Sequence, residues 1–446
     1  MTGKILRQTL IAMVCTVLLA GSAWPQNGPP QQDGTEALLK VRKLLDDGRY
    51  KEAETAARAL LAETEASAGP ASPQTAKVLD VLVETLGQLW KVRDPDAKVL
   101  AERALAIKEK TFGLESPEFA KSLSNLGVLV EEAGDYAGAR AYFERALNIR
   151  EKALGPEHPD VAENLSGLAR LQKDLNVGRQ YEERALAIRE RTFGKDHPLV
   201  AASLNSLASI LSEVGDNTGA KALLERALAI DQKMLGPNHP SVGRDLWRLG
   251  NVLEAMDDFT GARRAVERAI PIWEETLGPE HPEFGRALFS LANNLRNRGD
   301  PAAARQYGER SLAIAEKSLG PEHLDAARSL NLLGLVTDDL ASARRYFERS
   351  FTVMEKTVGP DDPRTSWPLN NLANRFLDIG DYSAALKAYE RVLAIREKTL
   401  GSEHGYVAGV LNNLGIVYTF LGDRSRARAF YGRSLAIFLL AASETR

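Results

Sequence analysis

Six histidines are the residues of this chain best suited to chemistry, and all six stand in one recurring phrase. His158, His197, His239, His281, His323 and His404 lie in the loop after a repeated glycine, most clearly in Leu277-Gly278-Pro279-Glu280-His281-Pro282. A metal site needs ligands converging to about 2 Å from one ion. Histidines one repeat apart are separated by the width of a helix pair, so the spacing predicts loop-packing or helix-capping roles. No Gly-x4-Gly-Lys-Ser/Thr loop and no His-Glu-x-x-His occurs. The pairs Glu144-Arg145, Glu225-Arg226, Glu267-Arg268 and Glu309-Arg310 recur with the repeat and read as helix-surface salt bridges. No carboxylate pair stands apart from the periodic pattern. The residues therefore point away from an enzyme, with no catalytic residue, metal or cofactor implied.

The elements that must position these residues repeat with the glycine. Gly113, Gly155, Gly194, Gly236, Gly278, Gly320, Gly359 and Gly401 are separated by 42, 39, 42, 42, 42, 39 and 42 residues. A fixed period of this size means stacked supersecondary units. A single core rarely grows past roughly 250–300 residues. The 446 residues here show no linker in the middle, which a solenoid explains, because each unit needs only its neighbours. The net charge of −3 argues against a nucleic-acid partner.

The N-terminus reads as an export signal. Lys4 and Arg7 precede an apolar run from Leu10 to Ala20, and Gly21-Ser22-Ala23 offers small residues before a cut after Ala23. The run is short for a retained span. Residues 1–23 are thus expected to be a signal peptide and 24–34 a flexible lead-in, rich in Pro, Gln and Gly. Residues 35–446 are expected to form about nine to ten helix pairs. The protein is expected in the bacterial periplasm or secreted, with no stable membrane span once the leader is removed. The only cysteine, Cys15, lies in the leader.

One unit shows why each is a helix pair. Leu123, Leu126, Gly127 and Val130 fall at helical spacing, Gly134-Asp135 breaks the helix, and Ala139, Phe143, Ala146 and Ile149 form a second apolar stripe. Gly155 suits a left-handed position beyond the helix end. Pro159 fits the first turn of the next helix. Small residues along the stripe let the two helix backbones approach closely. Asp174–Val177 and Asp338–Ala341 shorten the turn in the two 39-residue intervals. Pro271 falls inside a second helix, where a kink is expected.

Leu123-x2-Leu126-Gly127-x2-Val130 followed by Ala139, Phe143 and Ala146 resembles the tetratricopeptide repeat. The 42-residue period, with Ser-Leu-Asn-Ser-Leu-Ala at 203–208 and Leu-Asn-Asn-Leu-Gly at 411–415, resembles the kinesin light chain type of that repeat. That family's heptad coiled coil has no counterpart here. The resemblance implies an all-α, right-handed superhelical solenoid of antiparallel helix pairs, with first helices lining a concave groove. By the same resemblance, the groove slots hold Lys121, Asn125, Arg244, Arg248, Asn251, Arg286, Asn293, Asn297, Arg328, Asn371, Asn374 and Asn413. Asparagine carries donor and acceptor together and can grip an extended peptide backbone. The arginines would favour an acidic peptide or a C-terminal carboxylate. The alternative is that some of these asparagines only brace neighbouring helices and the arginines are solvated. Leu332 and Trp367 interrupt the polar series and suggest an apolar pocket.

The last second helix ends differently. Phe438, Leu439 and Leu440 stand where Arg396, Glu397 and Lys398 stand one unit earlier. A solenoid end normally carries a polar cap. Either two copies associate through this end or the tail folds back over the last pair. The expected role is a non-catalytic scaffold holding a protein or peptide partner in the groove. The alternative is a self-assembling envelope solenoid, a homodimer through its C-terminal end.

Overall fold

The computed structural model describes residues 32–91, 94–360 and 362–444, so the leader lies outside the described residues. Twenty helices follow one another with no strand among the described residues. The first ten are α1 (Gln32–Asp46), α2 (Tyr50–Ala68), α3 (Pro73–Gln88), α4 (Pro95–Phe112), α5 (Pro117–Glu132), α6 (Tyr136–Leu154), α7 (Pro159–Arg170), α8 (Leu175–Phe193), α9 (Pro198–Glu213) and α10 (Asn217–Met234). The second ten are α11 (Pro240–Ala255), α12 (Phe259–Thr276), α13 (Pro282–Asn297), α14 (Pro301–Ser318), α15 (Leu324–Leu335), α16 (Leu340–Thr357), α17 (Ser366–Asp378), α18 (Tyr382–Leu400), α19 (Gly405–Phe420) and α20 (Arg424–Glu444). Odd and even helices pair in sequence, giving ten antiparallel hairpins. Residues 32–34, expected in the lead-in, already belong to α1.

Each boundary has a local cause. All six histidines cap first helices: the Nδ1 of His281, for example, accepts the N–H of Glu283 at 3.2 Å, and Pro282 takes the first helical position. This is the capping role the spacing predicts. Ser72 and Ser116 cap α3 and α5 in their place. Aspartates cap most second helices, as Asp135 does through Gly138 N–H at 2.8 Å. The loop glycines do have positive φ, but Gly155 sits at φ 90, ψ 155 rather than in the left-handed helical region. That conformation is essentially open to glycine alone. The helix α12 continues through Pro271.

Packing inside a pair follows the small-residue stripe. Ala139 and Ala146 are fully buried, and Phe143 fills the space beside Gly127 and Gly167. First helices of neighbouring pairs also approach one another, whereas second helices of successive pairs make no comparable contact among the described residues. The first helices therefore line the inside of the curve. On the outside, arginines tie pairs together. Arg226 bonds Glu190 at 2.6 Å, and Arg310 bonds Glu274 at 3.0 Å. Of the expected Glu-Arg neighbours, Arg226 and Arg310 thus act across units, while Glu225, Glu267 and Glu309 pair within their own helices. Each exposed pair is worth at most about 1 kcal/mol.

Many of the buried charged residues are paired, although single atoms such as Arg150 Nε and Asp231 Oδ1 have no hydrogen-bond partner among the described residues. Arg150 is fully buried and donates to Asp160 O, Glu163 and Asn164 at 2.8, 2.9 and 2.7 Å. Lys108 pairs with Asp80 in the same buried layer. Such charges make removal of one partner costly, because the other is left in the interior.

Candidate functional site

The twelve slot residues lie on first helices, and the structure gives each of them a neighbour from an adjoining unit or the same one. Lys121 Nζ sits 2.9 Å from Glu84 and 3.1 Å from Glu163. Asn125 Nδ2 reaches Asp80 Oδ1 at 3.3 Å. Arg244 donates from Nε to Glu283 Oε1 at 2.8 Å, and Arg286 repeats this with Asp325 Oδ2 at 2.8 Å. Arg248 donates to Asn205 O at 3.4 Å and to Ser209 Oγ. Asn251 accepts from Ser290 Oγ at 2.9 Å. Asn293 and Asn297 both donate to Glu254 Oε1, at 2.6 and 2.9 Å. Asn371 bonds Asn331 at 3.0 Å. Asn374 accepts from Tyr389 OH at 2.5 Å and from Asn413 Nδ2 at 3.5 Å. The row is a chain of cross-unit bridges running along the inner face.

These bridges set the electrostatics. Burial alone would raise Glu163, yet Lys121 and Arg150 hold its carboxyl far below the usual range. Glu283 drives Arg244 upward against burial. Arg248 goes the other way, pushed down to about 10 by burial and by Arg244. Arg328 is also lowered, by burial first and then by Arg286 and Arg364, with Asp325 opposing. Its Nη1 lies 3.6 Å from Asp325 Oδ1, a carboxylate already engaged by Arg286. Two arginines thus share one acid, and Arg328 is the weakly held member.

A cavity of about 430 Å³ opens beside it, between α11, α13, α14 and α15. Trp247, Phe289 and Leu319 give it an apolar wall, while Asn251, Arg286 and Arg328 reach it with polar ends. The Trp247 indole donates to Ser290 Oγ at 2.9 Å, which orients the ring. Trp247 and Phe289 were not among the expected slots, although both lie one helical step from slot residues. Leu332, expected near an apolar pocket, is instead 2% exposed and packs within the core, while Trp367 is 40% exposed. Among the described residues no group of three or more His, Cys, Asp or Glu side chains could hold a metal. None of the described helices is long and apolar enough to cross a membrane.

The sequence model of the tetratricopeptide repeat matches residues 119–160 and, in overlapping segments, residues 164 through 439. The chain belongs to the tetratricopeptide repeat family. No curated protein matches its sequence. Among solved structures, it is similar to a Rap protein complexed with Competence and Sporulation Factor: TM-score 0.60, 16% identity, covering 83% of this chain and 99% of that one. It is also similar to aspartyl phosphate phosphatase F from Bacillus subtilis, with TM-score 0.51 and 15% identity over 85% of this chain and 98% of that one. Both likenesses concern the solenoid fold of this tetratricopeptide repeat chain. A Podosopora anserina protein described as a putative kinesin light chain with nearly identical repeats matches at 27% identity, TM-score 0.37, covering 46% of this chain and 98% of that one.

Proposed function

We propose that this tetratricopeptide repeat chain is a non-catalytic scaffold that holds an extended, acidic segment of a protein partner along its inner face. The observation that carries this reading is Arg328, its side chain 42% exposed, sharing Asp325 with Arg286 at the mouth of a cavity walled by Trp247 and Phe289. An incoming carboxylate would relieve that crowding, and a neighbouring apolar side chain would fill the cavity. Asn293 and Asn371 would then serve the partner's backbone, exchanging their present bonds for new ones. The similar Rap fold, seen in complex with Competence and Sporulation Factor, supports a partner-holding role for such a solenoid. Arg328→Glu is the chosen test, because Arg328 holds little of the fold together. Binding of acidic peptides from an array should be lost with helicity unchanged; equal binding by both proteins contradicts the proposal.

A second reading has its own observation. Leu435, Phe438 and Leu439 are 58%, 51% and 62% exposed on α20, the face that a further unit would cover. Leu393, one unit earlier, packs there against Val407, Ala408 and Leu411. Self-association through this end is the corresponding proposal, tested by sedimentation below. Export through the leader is proposed as well. Recovery of a chain beginning at Trp24 from the periplasm or medium supports it, and an intact leader in the cytoplasm contradicts it.

A further inference from the structure

The N-terminal turns meet loops five pairs away, in a pattern that repeats. His239 Nε2 lies 3.1 Å from Asp46 O, and His281 Nε2 lies 3.2 Å from Gln88 O, each across 193 residues. In both rings Nδ1 already accepts the capping N–H, so Nε2 carries the proton and donates to the carbonyl. Gly48 lies so close to Pro240 that a Cβ there would come within 2.5 Å of its ring. Tyr50, 5% exposed, enters the core cluster of Val242, Trp273 and Phe284. The Arg286 guanidinium stands 4.4 Å over the Trp90 ring. Two successive turns thus dock on two successive loops, and each brings an aromatic ring to an arginine bridge. Tyr50 comes to Arg244–Glu283 and Trp90 to Arg286–Asp325.

Trp90 is the informative residue. It occupies the turn position that is Gly48, Gly134, Gly215, Gly299 and Gly380 in other pairs, and it adopts their positive φ, at 55. A bulky residue in this conformation is strained and persists only while its surroundings hold it. Asp257 takes the same turn position in another pair, at φ 62, so the position admits other residues at a cost; at Trp90 the contact with Arg286 offsets it. Among the described residues the seam combines two hydrogen bonds, the buried Tyr50 ring, Leu45 and Leu89 packed against the same cluster, Gly48 against Pro240 and Arg286 stacked on Trp90, set against the continuous apolar stripes that hold each pair.

We infer that the first two helix pairs form a releasable clasp that closes the superhelix over Arg244 and Arg286. The clasp gates the inner face: Arg328 is reachable with the clasp shut, Arg286 only by the edge that meets the cavity, its other face being covered by Trp90 until the clasp opens. That gating role rests on the groove reading above; the clasp as a structural device does not.

The test uses the chain with Cys15→Ser and spin labels at Asp47→Cys and Asn238→Cys, exposed positions flanking the seam. The opening variant is Trp90→Gly with His239→Asn and His281→Asn. Asparagine keeps the helix cap but cannot span to the opposite carbonyl, and glycine suits the turn, so folding is preserved. His158→Asn changes a cap away from the seam and is the control. Pulsed electron resonance should give one short-distance population in the parent and control. The opening variant should lose more than half of it, with unchanged helicity. Phenylglyoxal labelling of Arg286, read by mass spectrometry, should rise several-fold, while Arg328 labelling stays constant. A distance distribution identical to the control, or no short population in the parent, overturns the clasp. Arg328→Glu leaves these distances untouched, so a failed groove and a failed clasp give different results.

Discussion

Arg244 and Glu283, 39 residues apart, are joined by an Nε–Oε1 bond of 2.8 Å, with Nη2–Oε2 at 3.3 Å. This fork binds α11 to α13 and leaves Glu283 with a side chain only 9% exposed. Removing the arginine strands a buried carboxylate. Arg244→Gln should therefore cost about 2–3 kcal/mol in urea unfolding. Arg328→Gln, whose acid already has Arg286, should cost under about 1 kcal/mol. Equal losses for the two would mean that Arg328 is as structural as Arg244.

Glycines inside helices make opposite predictions at two sites. A Cβ on Gly127 would lie 2.8 Å from the buried Phe143 ring, whereas one on Gly409 meets nothing within 4 Å. Gly127→Ala should destabilise by about 1–3 kcal/mol through overpacking. Gly409→Ala should stabilise by about 0.5–1 kcal/mol, since it only restricts the unfolded chain. Thermal unfolding of both variants checks the sign of each.

Two buried acids make stability depend on pH. Arg150 reaches Asn164 and Arg189 reaches Ser203, each 14 residues on, but the next unit places Asp231 opposite Asp245. Burial, reinforced by Asp231, pushes Asp245 up to about 7, and burial pushes Asp231 up to about 6. Both values exceed the unfolded value of about 3.9. The folded chain thus binds more protons than the unfolded one between these limits, and these carboxyls make stability fall as pH rises from about 4 to about 7. Asp245→Asn should flatten that fall and make the protein more stable at pH 8 than the parent. A parallel pH profile for both would contradict the assignment.

The exposed end gives a fourth prediction. If α20 joins two copies, the chain should sediment as a concentration-dependent dimer and Leu439→Glu should return it to a monomer. A monomer at all concentrations removes the self-association reading.

The sequence disclosed the units but not how far they coil. The glycine period, the capping histidines and the small-residue stripe are local, so Gly155, His281 and Phe143 could be read directly. The clasp could not, because His158, His239 and His281 stand in the same phrase and only the last two reach a distant turn. Which loop meets which turn depends on a small rotation summed over five pairs. Trp90 in a glycine position was a usable local signal. The inner face was half legible: Arg244 and Arg286 stand out by their repeat slots, but Glu283 and Asp325, 39 residues on in each case, read as ordinary helix-start acids until the bridges are seen. The same holds for Trp247 and Phe289, which read as ordinary apolar residues until the cavity between their helices is seen.

Photo-crosslinking tests the scaffold reading on both faces at once. A benzoylphenylalanine at Phe289 faces the cavity, and one at Lys221 faces outward from α10. In cells, the inner position should give adducts with one extended acidic segment, lost with Arg328→Glu, and the outer position should give none of them. Adducts only from the outer position, or inner adducts indifferent to Arg328, would contradict the account.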